Sequence, residues 1–246
     1  MAEFIEGRNA VLEALRSEMP LERILVAEGS KPNPVLDEIV RRARQAGLPV
    51  DHVSRRSLDD RSERRAHQGV AAVARPFAFT PLAHVLSSAA GKPDSLLVVL
   101  DHVTDAGNFG AIVRSAEVAG ADGVIIAKRR SAAIGPGAYK ASAGALAWMP
   151  IVQEPNLVRA LEAAKQQRYW VAGATERAPV LAWDAPLEGR LVLVMGAEGT
   201  GLSRLVEETC DILVRLPVEG RVGSLNVAQA TSVLAFEWAR RKAARG

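Results

Sequence analysis

The sequence predicts a mixed α/β protein, with a small N-terminal α/β domain followed by a larger C-terminal domain built on a parallel sheet. Two observations support this prediction. After residue 95, continuous apolar runs such as 96–100 and 191–196 alternate with amphipathic segments, and continuous apolar runs are typical of strands buried on both faces of a parallel sheet. Before residue 76, shorter apolar runs and helical patterns alternate over about 75 residues, a length that is only just enough for independent folding.

The elements of the N-terminal domain follow from the spacing of apolar residues. Helices are predicted at 7–17 and 34–47, and Gly47 is expected to end the second one because glycine tolerates the left-handed conformation of a C-cap. Residues 54–69 hold almost no apolar side chain, which predicts a short helix and a mobile loop. Short apolar runs predict strands at 22–28, 48–53 and 70–74.

A change in composition predicts the domain boundary. Residues 76–93 contain three prolines and several hydroxyl residues, a composition typical of a semi-ordered connection. We therefore expect a first domain at 1–75, a linker at 76–93 and a second domain at 94–246.

The C-terminal domain alternates strands and helices. This alternation predicts right-handed crossovers and a sheet covered by helices on both faces. The predicted strands are 96–100, 123–127, 169–174, 191–196 and 211–217. The predicted helices are 108–119, 138–147, 156–167, 201–209 and 226–241.

Composition excludes several classes of protein. Hydrophobic content of 48% and charged content of 24% are ordinary for a globular protein, and no apolar run approaches the roughly 20 residues of a membrane helix. The acidic N-terminus lacks the pattern of a signal peptide, so we expect cytoplasmic residence. The single cysteine, Cys210, excludes an internal disulfide and is expected in the core, and the four histidines have no metal-ligand spacing. The core is also expected to hold Trp148, Trp170, Trp183 and Trp238.

Positive charge is concentrated in one segment of the N-terminal domain. Residues 41–75 hold nine arginines and four acidic residues, whereas residues 1–40 hold four basic and eight acidic ones. The planar fork of arginine suits phosphate better than the point charge of lysine. A phosphate-binding surface and a merely solvated arginine-rich face both fit this pattern.

Polar residues follow two of the predicted strands, and others lie in the loop before the last predicted helix. Loops at the carboxyl ends of parallel strands converge on one crevice, where ligands bind. Asn108 is expected to cap the helix after the first strand. Arg114 is expected at or near a buried face, because Ile112 and Val113 beside it are apolar, and a charge there needs a partner or a function. A structural cap and a surface arginine are the alternative interpretation.

The two later loops are less specific in isolation. The glycine-rich segment 196–201 is neither a dinucleotide fingerprint nor a Walker A loop. Its carboxylate, Glu198, would repel phosphate, which argues against a dinucleotide and for a ligand with a cationic or hydroxyl-bearing part. Ser224 and Asn226 precede the last predicted helix, where they can either cap it or face the crevice.

Together these loops resemble a known family. The three stretches are Asn108-Phe-Gly-Ala-Ile-Val-Arg114, Val194-Met-Gly-Ala-Glu198-Gly-Thr-Gly201, and Leu216-Pro217 followed by Ser224-Leu-Asn226-Val. In order, spacing and polar positions they resemble the three motifs of the SpoU/TrmH family of 2′-O-ribose RNA methyltransferases, within the SPOUT superfamily. Ala228 and Gln229 depart from the serine and valine usual in the third motif. Similarities at 5–11, 67–69 and 128–132 extend the resemblance to the whole chain and point to methylases of a 23S rRNA guanosine.

The resemblance implies a fold, a cofactor and partners. The family's catalytic domain has a deep trefoil knot, binds S-adenosylmethionine without a metal, and forms homodimers. Backbone around Ala174, Gly196, Leu216 and Leu225 would line the cofactor pocket. The N-terminal domain would bind RNA, either free 23S rRNA or an assembling large ribosomal subunit. Its candidate contacts are Arg8, Arg41, Arg42, Arg55, Arg56, Arg64 and Arg65.

The resemblance also implies roles for the catalytic residues. Arginine stays protonated near neutral pH, so we expect Arg114 to grip the target phosphate and 2′-oxygen rather than to accept the proton. Glu198 and Asn108 would hold the arginine and the ribose, and Ser224 and Asn226 would shape the cofactor pocket. Other family members act on tRNA or on rRNA sites that confer antibiotic resistance. A non-catalytic rRNA-binding assembly factor is the alternative from another class.

Overall fold

A computed structural model describes residues 3–30, 33–62 and 66–245 of the 246-residue chain. The chain divides into two compact units. The first comprises residues up to 78 together with 134–140, and the second comprises 79–133 and 141 onwards. Among the described residues, no helix is long and apolar enough to cross a membrane.

The first unit is a four-stranded sheet with helices on both faces. Its elements are β1 (Glu3–Glu6), α1 (Arg8–Arg16), β2 (Leu21–Ala27), α2 (Pro34–Gln45), β3 (Val50–Val53), α3 (Arg55–Asp59) and β4 (Val70–Ala74). The strand order is β1-β4-β2-β3; β4 is antiparallel to its neighbours and β2 is parallel to β3. Asn33 begins α2, since its side chain accepts a hydrogen bond from the amide of Val35 and Pro34 occupies the first helical position.

Two small cores hold this unit together. On one face, residues of α1 and α2 such as Val11, Leu36 and Ile39 pack against Ile24 and Ala72 of the sheet. On the other face, Leu58 of α3 packs against strand residues of β2 and β4. The amphipathic spacing that predicted α1 and α2 therefore corresponds to their buried faces.

The second unit is a seven-stranded sheet in which every pair of neighbours is parallel. The strand order is β7-β6-β5-β10-β8-β11-β9. Its strands are β5 (Ser95–Asp101), β6 (Gly123–Ala127), β7 (Ile151–Glu154), β8 (Trp170–Ala174), β9 (Val180–Leu181), β10 (Arg190–Gly196) and β11 (Ile212–Arg215). Its helices are α4 (Leu82–Ser88), α5 (Ala106–Val118), the short 3-10 helix η1 (Ala145–Ala147), α7 (Leu157–Gln166), α8 (Arg204–Thr209) and α9 (Val227–Arg245). Helix α6 (Pro136–Ser142) begins in the segment 134–140 of the first unit.

The predicted parallel sheet is confirmed. All seven residues of β5 are buried, because helices cover both faces of the sheet. Leu97 and Val99 share a core with α4, α7 and α8, whereas alternate residues such as Leu96 and Val98 are buried on the other face. Helices α5 and α9 contact the neighbouring strands β6 and β10. The mixed α/β class with a parallel sheet and an N-terminal subdomain is the architecture that the sequence predicted.

The predicted linker differs from the structure. Of the predicted linker, residues 76–78 belong to the first unit, and residues 79–93 belong to the second. The reason is that α4 buries Val85, Leu86 and Ala89 in the core of the second unit. Three apolar residues at helical spacing outweigh the prolines that suggested a connection.

The tryptophan prediction was right for one residue of four. Trp238 is fully buried and its indole N–H donates to the carbonyl of Gly189 at 3.0 Å. By contrast Trp148, Trp170 and Trp183 are 80%, 46% and 44% exposed. Trp170 begins a strand and the other two lie outside strands and helices, so none is placed in the sheet interior.

Candidate active site

Three loops meet at the carboxyl edge of the central strands. β5 and β10 are neighbours, with Gly196 opposite Asp101, so the loop that leads into α5 lies beside the loop that follows β10. α9 packs alongside α5, where the hydroxyl groups of Ser115 and Ser232 are 2.7 Å apart. Asn108, Glu198 and Asn226, which are far apart in sequence, come together as a result.

A closed hydrogen-bond network joins these three side chains. The Nδ2 of Asn226 donates to Oε1 of Glu198 at 2.7 Å and to Oδ1 of Asn108 at 2.9 Å. The Nδ2 of Asn108 donates to the same Glu198 oxygen at 3.2 Å, and the amide of Val227 reaches it at 3.4 Å. All of these bonds go to Oε1, and Oε2 of Glu198 accepts none from the described residues. One proton of the Asn108 amide is likewise free.

Of the two helix caps predicted at Asn108 and Asn226, one differs in the structure. Asp105, not Asn108, caps α5, and its side chain accepts from the amide of Asn108 at 2.7 Å. Asn108 therefore lies inside the first turn, which leaves its side chain free to join the network. Asn226 does cap α9, since its Oδ1 accepts from the amide of Ala228 at 2.9 Å.

A pocket of about 410 Å³ opens beside the network. The carboxyl ends of β8, β10 and β11 and the start of α9 form its walls. All four predicted cofactor residues line it, together with two predicted catalytic ones: Ala174, Gly196, Leu216, Leu225, Glu198 and Ser224. Ser224 is exposed at this wall and has no hydrogen bond among the described residues.

Four charged residues of the pocket were missed by the sequence analysis: Glu176, Arg177, Glu207 and Arg215. Glu176 and Arg177 follow β8 almost directly, and Arg215 ends β11. For Glu176 and Arg177 the available signal was their position after a predicted strand, because ligands bind at such strand ends. Glu207 lies within a predicted helix and Arg215 within a predicted strand, so neither gave this signal.

The loop after β10 has a shape that requires glycine. Ala197 and Gly201 pair across it through two backbone hydrogen bonds of 3.2 and 2.9 Å. A Cβ at Gly196 would lie 2.3 Å from the carbonyl carbon of Gly201, far inside any real contact. The tight closure presents the Glu198 side chain to Asn108 and Asn226.

Arg114 is not at a buried face, contrary to expectation. Ile112 and Val113 are fully buried, but Arg114 is exposed on the opposite side of α5. Within the described part of the chain it has no hydrogen bond or ion pair. Glu198 therefore does not hold Arg114 in the single chain.

A buried carboxylate fixes the base of the site. Asp101 is 1% exposed and accepts from the amide of Ser203 at 2.6 Å. Its Oδ1 also lies 2.9 Å from Nδ1 of His102. Asp101 thereby ties the end of β5 to the start of α8, just beyond the loop that carries Glu198. In the described ranges, no group of three or more His, Cys, Asp or Glu side chains could hold a metal ion.

The predicted RNA-binding arginines lie in the first unit and differ in whether their side chains have a partner within the protein. Arg41 and Arg42 both bind Glu38, at 2.5 and 2.6 Å, and the hydrogen bond from Arg41 is the main cause of the lowered pKa of Glu38. Arg55 and Arg56 of α3 are exposed, and neither side chain has a partner among the described residues. Arg64 and Arg65 lie outside the described residues.

Among the described members of this set, Arg8 has a buried, unpaired donor. Its Nε is buried and finds no hydrogen-bond partner in the described structure. Its backbone amide donates to Oε1 of Gln68 at 3.3 Å. An unpaired buried donor is costly, so a ligand that accepts from this guanidinium would stabilise it.

Both units of the chain match known protein families. Residues 95–236 match the SpoU rRNA methylase family, and residues 4–80 match the substrate-binding domain of RNA 2′-O-ribose methyltransferases. The chain belongs to the SpoU/TrmH family of RNA methyltransferases, whose matching model covers more than half of its length.

Individual relatives agree with this membership. An uncharacterized tRNA/rRNA methyltransferase of Mycobacterium ulcerans is 39% identical over 98% of this chain and 77% of the relative. A Staphylococcus haemolyticus protein, described as a TrmH-family tRNA/rRNA methyltransferase, is 36% identical over 97% of this chain and 95% of its own. The SpoU methyltransferase AviRb of Streptomyces viridochromogenes, solved in complex with AdoMet, superposes with a TM-score of 0.66 at 25% identity, over 98% of this chain and 90% of AviRb.

Proposed function

We propose that the protein transfers a methyl group from S-adenosylmethionine to the ribose 2′-hydroxyl of a guanosine in 23S rRNA, as RlmB-type methylases do. The observation that carries the proposal is the Asn108–Glu198–Asn226 network at the rim of a pocket large enough for a small ligand. Family membership supplies the reaction class, and the network supplies groups that can position a ribose.

The pocket fits S-adenosylmethionine in size and chemistry. Its volume of about 410 Å³ lies within the usual range for ligand sites. Leu216 and Leu225 offer apolar surface for an adenine ring, and the carboxylates of Glu176 and Glu207 suit the two cationic groups of the ligand. Arg177 suits its carboxylate. When bound, S-adenosylmethionine supplies a methyl group on a positively charged sulfur.

The network provides the groups that would orient the acceptor ribose. The free proton of the Asn108 amide can donate to a ribose oxygen, and the free Oε2 of Glu198 can accept from a hydroxyl. Because the network pins both side chains, little conformational entropy is lost when the ribose binds. Positioning of the 2′-oxygen in line with the methyl group is the main contribution expected from these residues.

Arg114 is the proposed phosphate anchor. Its exposed guanidinium has no partner among the described residues, so both edges of its fork are free for a phosphodiester and the 2′-oxygen. A guanidinium has five N–H donors and no acceptor, so Arg114 binds the phosphate and does not accept the proton. Its charge also stabilises the oxygen as that proton leaves.

We infer that a second copy of the chain covers the outer faces of α5 and α9. Arg114 and Val118 share one face of α5, and Val233 and Phe236 share one face of α9. Val118 and Phe236 are 62% and 48% exposed, although the two helices pack side by side. A homodimer would bury this apolar surface and enclose Arg114. We expect Phe236→Asp to sediment as a monomer and wild type as a dimer.

The identity of the RNA substrate is the most specific part of the proposal. The first unit matches a substrate-binding domain, and its exposed Arg55 and Arg56 suit an RNA backbone. Relatives are described as acting on tRNA or rRNA. We propose that the protein resides in the cytoplasm, alongside either RNA.

The deciding experiment is transfer of labelled methyl from S-adenosylmethionine to unmodified 23S rRNA, with tRNA in parallel, followed by mapping of 2′-O-methyl positions. We expect label on a single guanosine of 23S rRNA. Label on tRNA alone would contradict the substrate and keep the chemistry. No label on either RNA or on immature large subunits would contradict the activity.

Two variants test the assigned roles. Glu198→Gln keeps the shape but weakens a charge-assisted network, and Glu162→Gln on the exposed side of α7 is the matched control. Arg114→Lys removes the fork and should cost about 1.5–3 kcal/mol, or about 10- to 150-fold in kcat/KM. Near-normal turnover of Arg114→Lys would reject the phosphate-anchor role.

A further inference from the structure

The loop after β6 carries three consecutive cations, Lys128, Arg129 and Arg130, which we call the basic loop. All three side chains are exposed. In the parts of the chain that the structure describes, none of the three makes an ion pair or a side-chain hydrogen bond. Three adjacent like charges repel one another, and the fold keeps them together without a neutralising partner.

Cations at the opposite edge of the same sheet are treated differently. Lys92 pairs with Asp122 at 2.5 Å, and Lys165 pairs with Asp211 at 2.7 Å. Arg190 lies over the ring of Tyr169 at 4.4 Å and donates to backbone carbonyls. Cations at the amino edge are thus mostly engaged by the protein itself, whereas those of the basic loop are left available.

Strand order places the basic loop next to the active site. The order β6-β5-β10-β8 puts the loop after β6 on one side of the Asn108–Glu198 network and the cofactor pocket on the other. The basic loop follows β6, which is the strand next to β5. Neighbouring strands are roughly 4.8 Å apart. The amide of Ala132 donates to the carbonyl of Val103 at 2.9 Å and fixes the loop to the segment that leads into α5.

The backbone of the basic loop is held in a costly conformation. Arg130 has φ +56°, in the left-handed region that residues with a Cβ avoid. Such a conformation is destabilising by itself and persists only where its surroundings hold it. The turn displays the two arginines in a defined place rather than on a free tether.

We propose that the basic loop binds the phosphodiester backbone of the RNA strand next to the target ribose. The inference rests on the proposed function, because it takes RNA as the substrate. A ribose that reaches the Asn108–Glu198 network brings its flanking phosphates across the same sheet edge. The pocket occupies the β8 side, so the strand must leave over β5 and β6, where the unpaired cations lie.

The test uses the full chain and a double variant, Arg129→Gln with Arg130→Asn. Asparagine tolerates the left-handed conformation, so the backbone of the loop is preserved. The matched control is Lys242→Gln with Arg168→Asn. Arg168 is also exposed and left-handed, with φ +63°, but lies at the amino edge before β8. Lys242 is exposed in the last turn of α9, which ends at the same edge. Both double variants remove two positive charges.

RNA affinity is measured against salt concentration without methyl donor, and KM and kcat are measured with it. We expect the basic-loop variant to lower the slope of log K against log salt by about 1.4, from about 0.7 for each lost contact to a single strand. Its KM for RNA should rise about tenfold, with affinity for S-adenosylmethionine and melting temperature unchanged. The control should match wild type throughout.

The outcomes separate this inference from the proposed function. A basic-loop variant with wild-type slope and KM would overturn the inference while the methyl transfer stands. Equal losses in both double variants would also overturn it, because they would reflect net charge alone. If wild type binds RNA but transfers no methyl group, the proposed function fails, and the salt slope still decides whether the basic loop binds RNA.

Discussion

Replacing Gly196 with alanine tests how the active-site loop is built. A Cβ at this position would lie 2.3 Å from the carbonyl carbon of Gly201 and 2.6 Å from the amide nitrogen of Leu202. Ordinary contacts between such atoms are roughly 3.5–4.0 Å, so backbone must move by about 1 Å or more. The movement pulls on the two hydrogen bonds between Ala197 and Gly201 and shifts Glu198 out of its network.

The size of the effect follows from this overlap. Overpacking of this kind costs about 1–3 kcal/mol. If the cost is met when the loop closes on its ligand, affinity for S-adenosylmethionine falls about 5- to 150-fold. If the cost is met in the free chain instead, the melting temperature should fall by about 2–10 °C for a chain of this length. Isothermal calorimetry and thermal unfolding measure the two quantities.

The matched control is Gly220→Ala, in the exposed loop after β11. A Cβ at Gly220 meets nothing within 4 Å, so the variant adds the same methyl group without an overlap. We expect wild-type affinity and stability for this control. Cofactor affinity of Gly196→Ala within twofold of wild type, with an unchanged melting temperature, would refute the steric account of the loop.

Three further predictions concern buried groups. The Arg240 guanidinium, with help from a neighbouring arginine, holds the pKa of Glu237 at about 2. Because the pKa in the unfolded chain is higher, Glu237→Gln should lower the free energy of unfolding by an amount on the order of 2 kcal/mol at pH 7. Urea unfolding should show that difference shrinking as pH falls from 4.5 towards 2, whereas a pH-independent difference would contradict the prediction. Burial raises the pKa of the Cys210 thiol to about 12, so a disulfide reagent at pH 8 should modify the folded chain about a thousandfold more slowly than the urea-unfolded chain, and equal rates would oppose this. Asp101→Ala leaves the amide of Ser203 without its acceptor and should cost about 1–3 kcal/mol in urea unfolding; a change below about 0.5 kcal/mol would count against the tie.

Much of the second unit could be predicted because local pattern and burial agree there. The run 96–100 is continuous and apolar, and every residue of β5 is buried. Short strands gave no such signal: β1 has four residues, and β9 has two. The assignment of 134–140 to the first unit depends on contacts with distant residues, which no local pattern records.

The candidate site was predictable as a meeting of strand ends but not in its details. Asn108, Glu198 and Asn226 were expected together because parallel strands end at one edge, and the network joins them. Two residues that can cap a helix, Asp105 and Asn108, stand three positions apart, and only the backbone decides between them. Arg114 was expected near a buried face because its chain neighbours are apolar, but helical rotation turns it to the opposite side.

The position of β10 in the sheet has a consequence for how the chain is made. β10 lies at the centre of the second sheet, between β5 and β8, yet it comes after both in sequence. Contacts between residues so distant in sequence are slow to form, since a long loop must close first. On the ribosome, β5 cannot pair with β10 until residues 190–196 have emerged. The loop that carries Glu198 is therefore completed only late in synthesis, so a growing chain has no assembled active site while most of its length is already outside the ribosome.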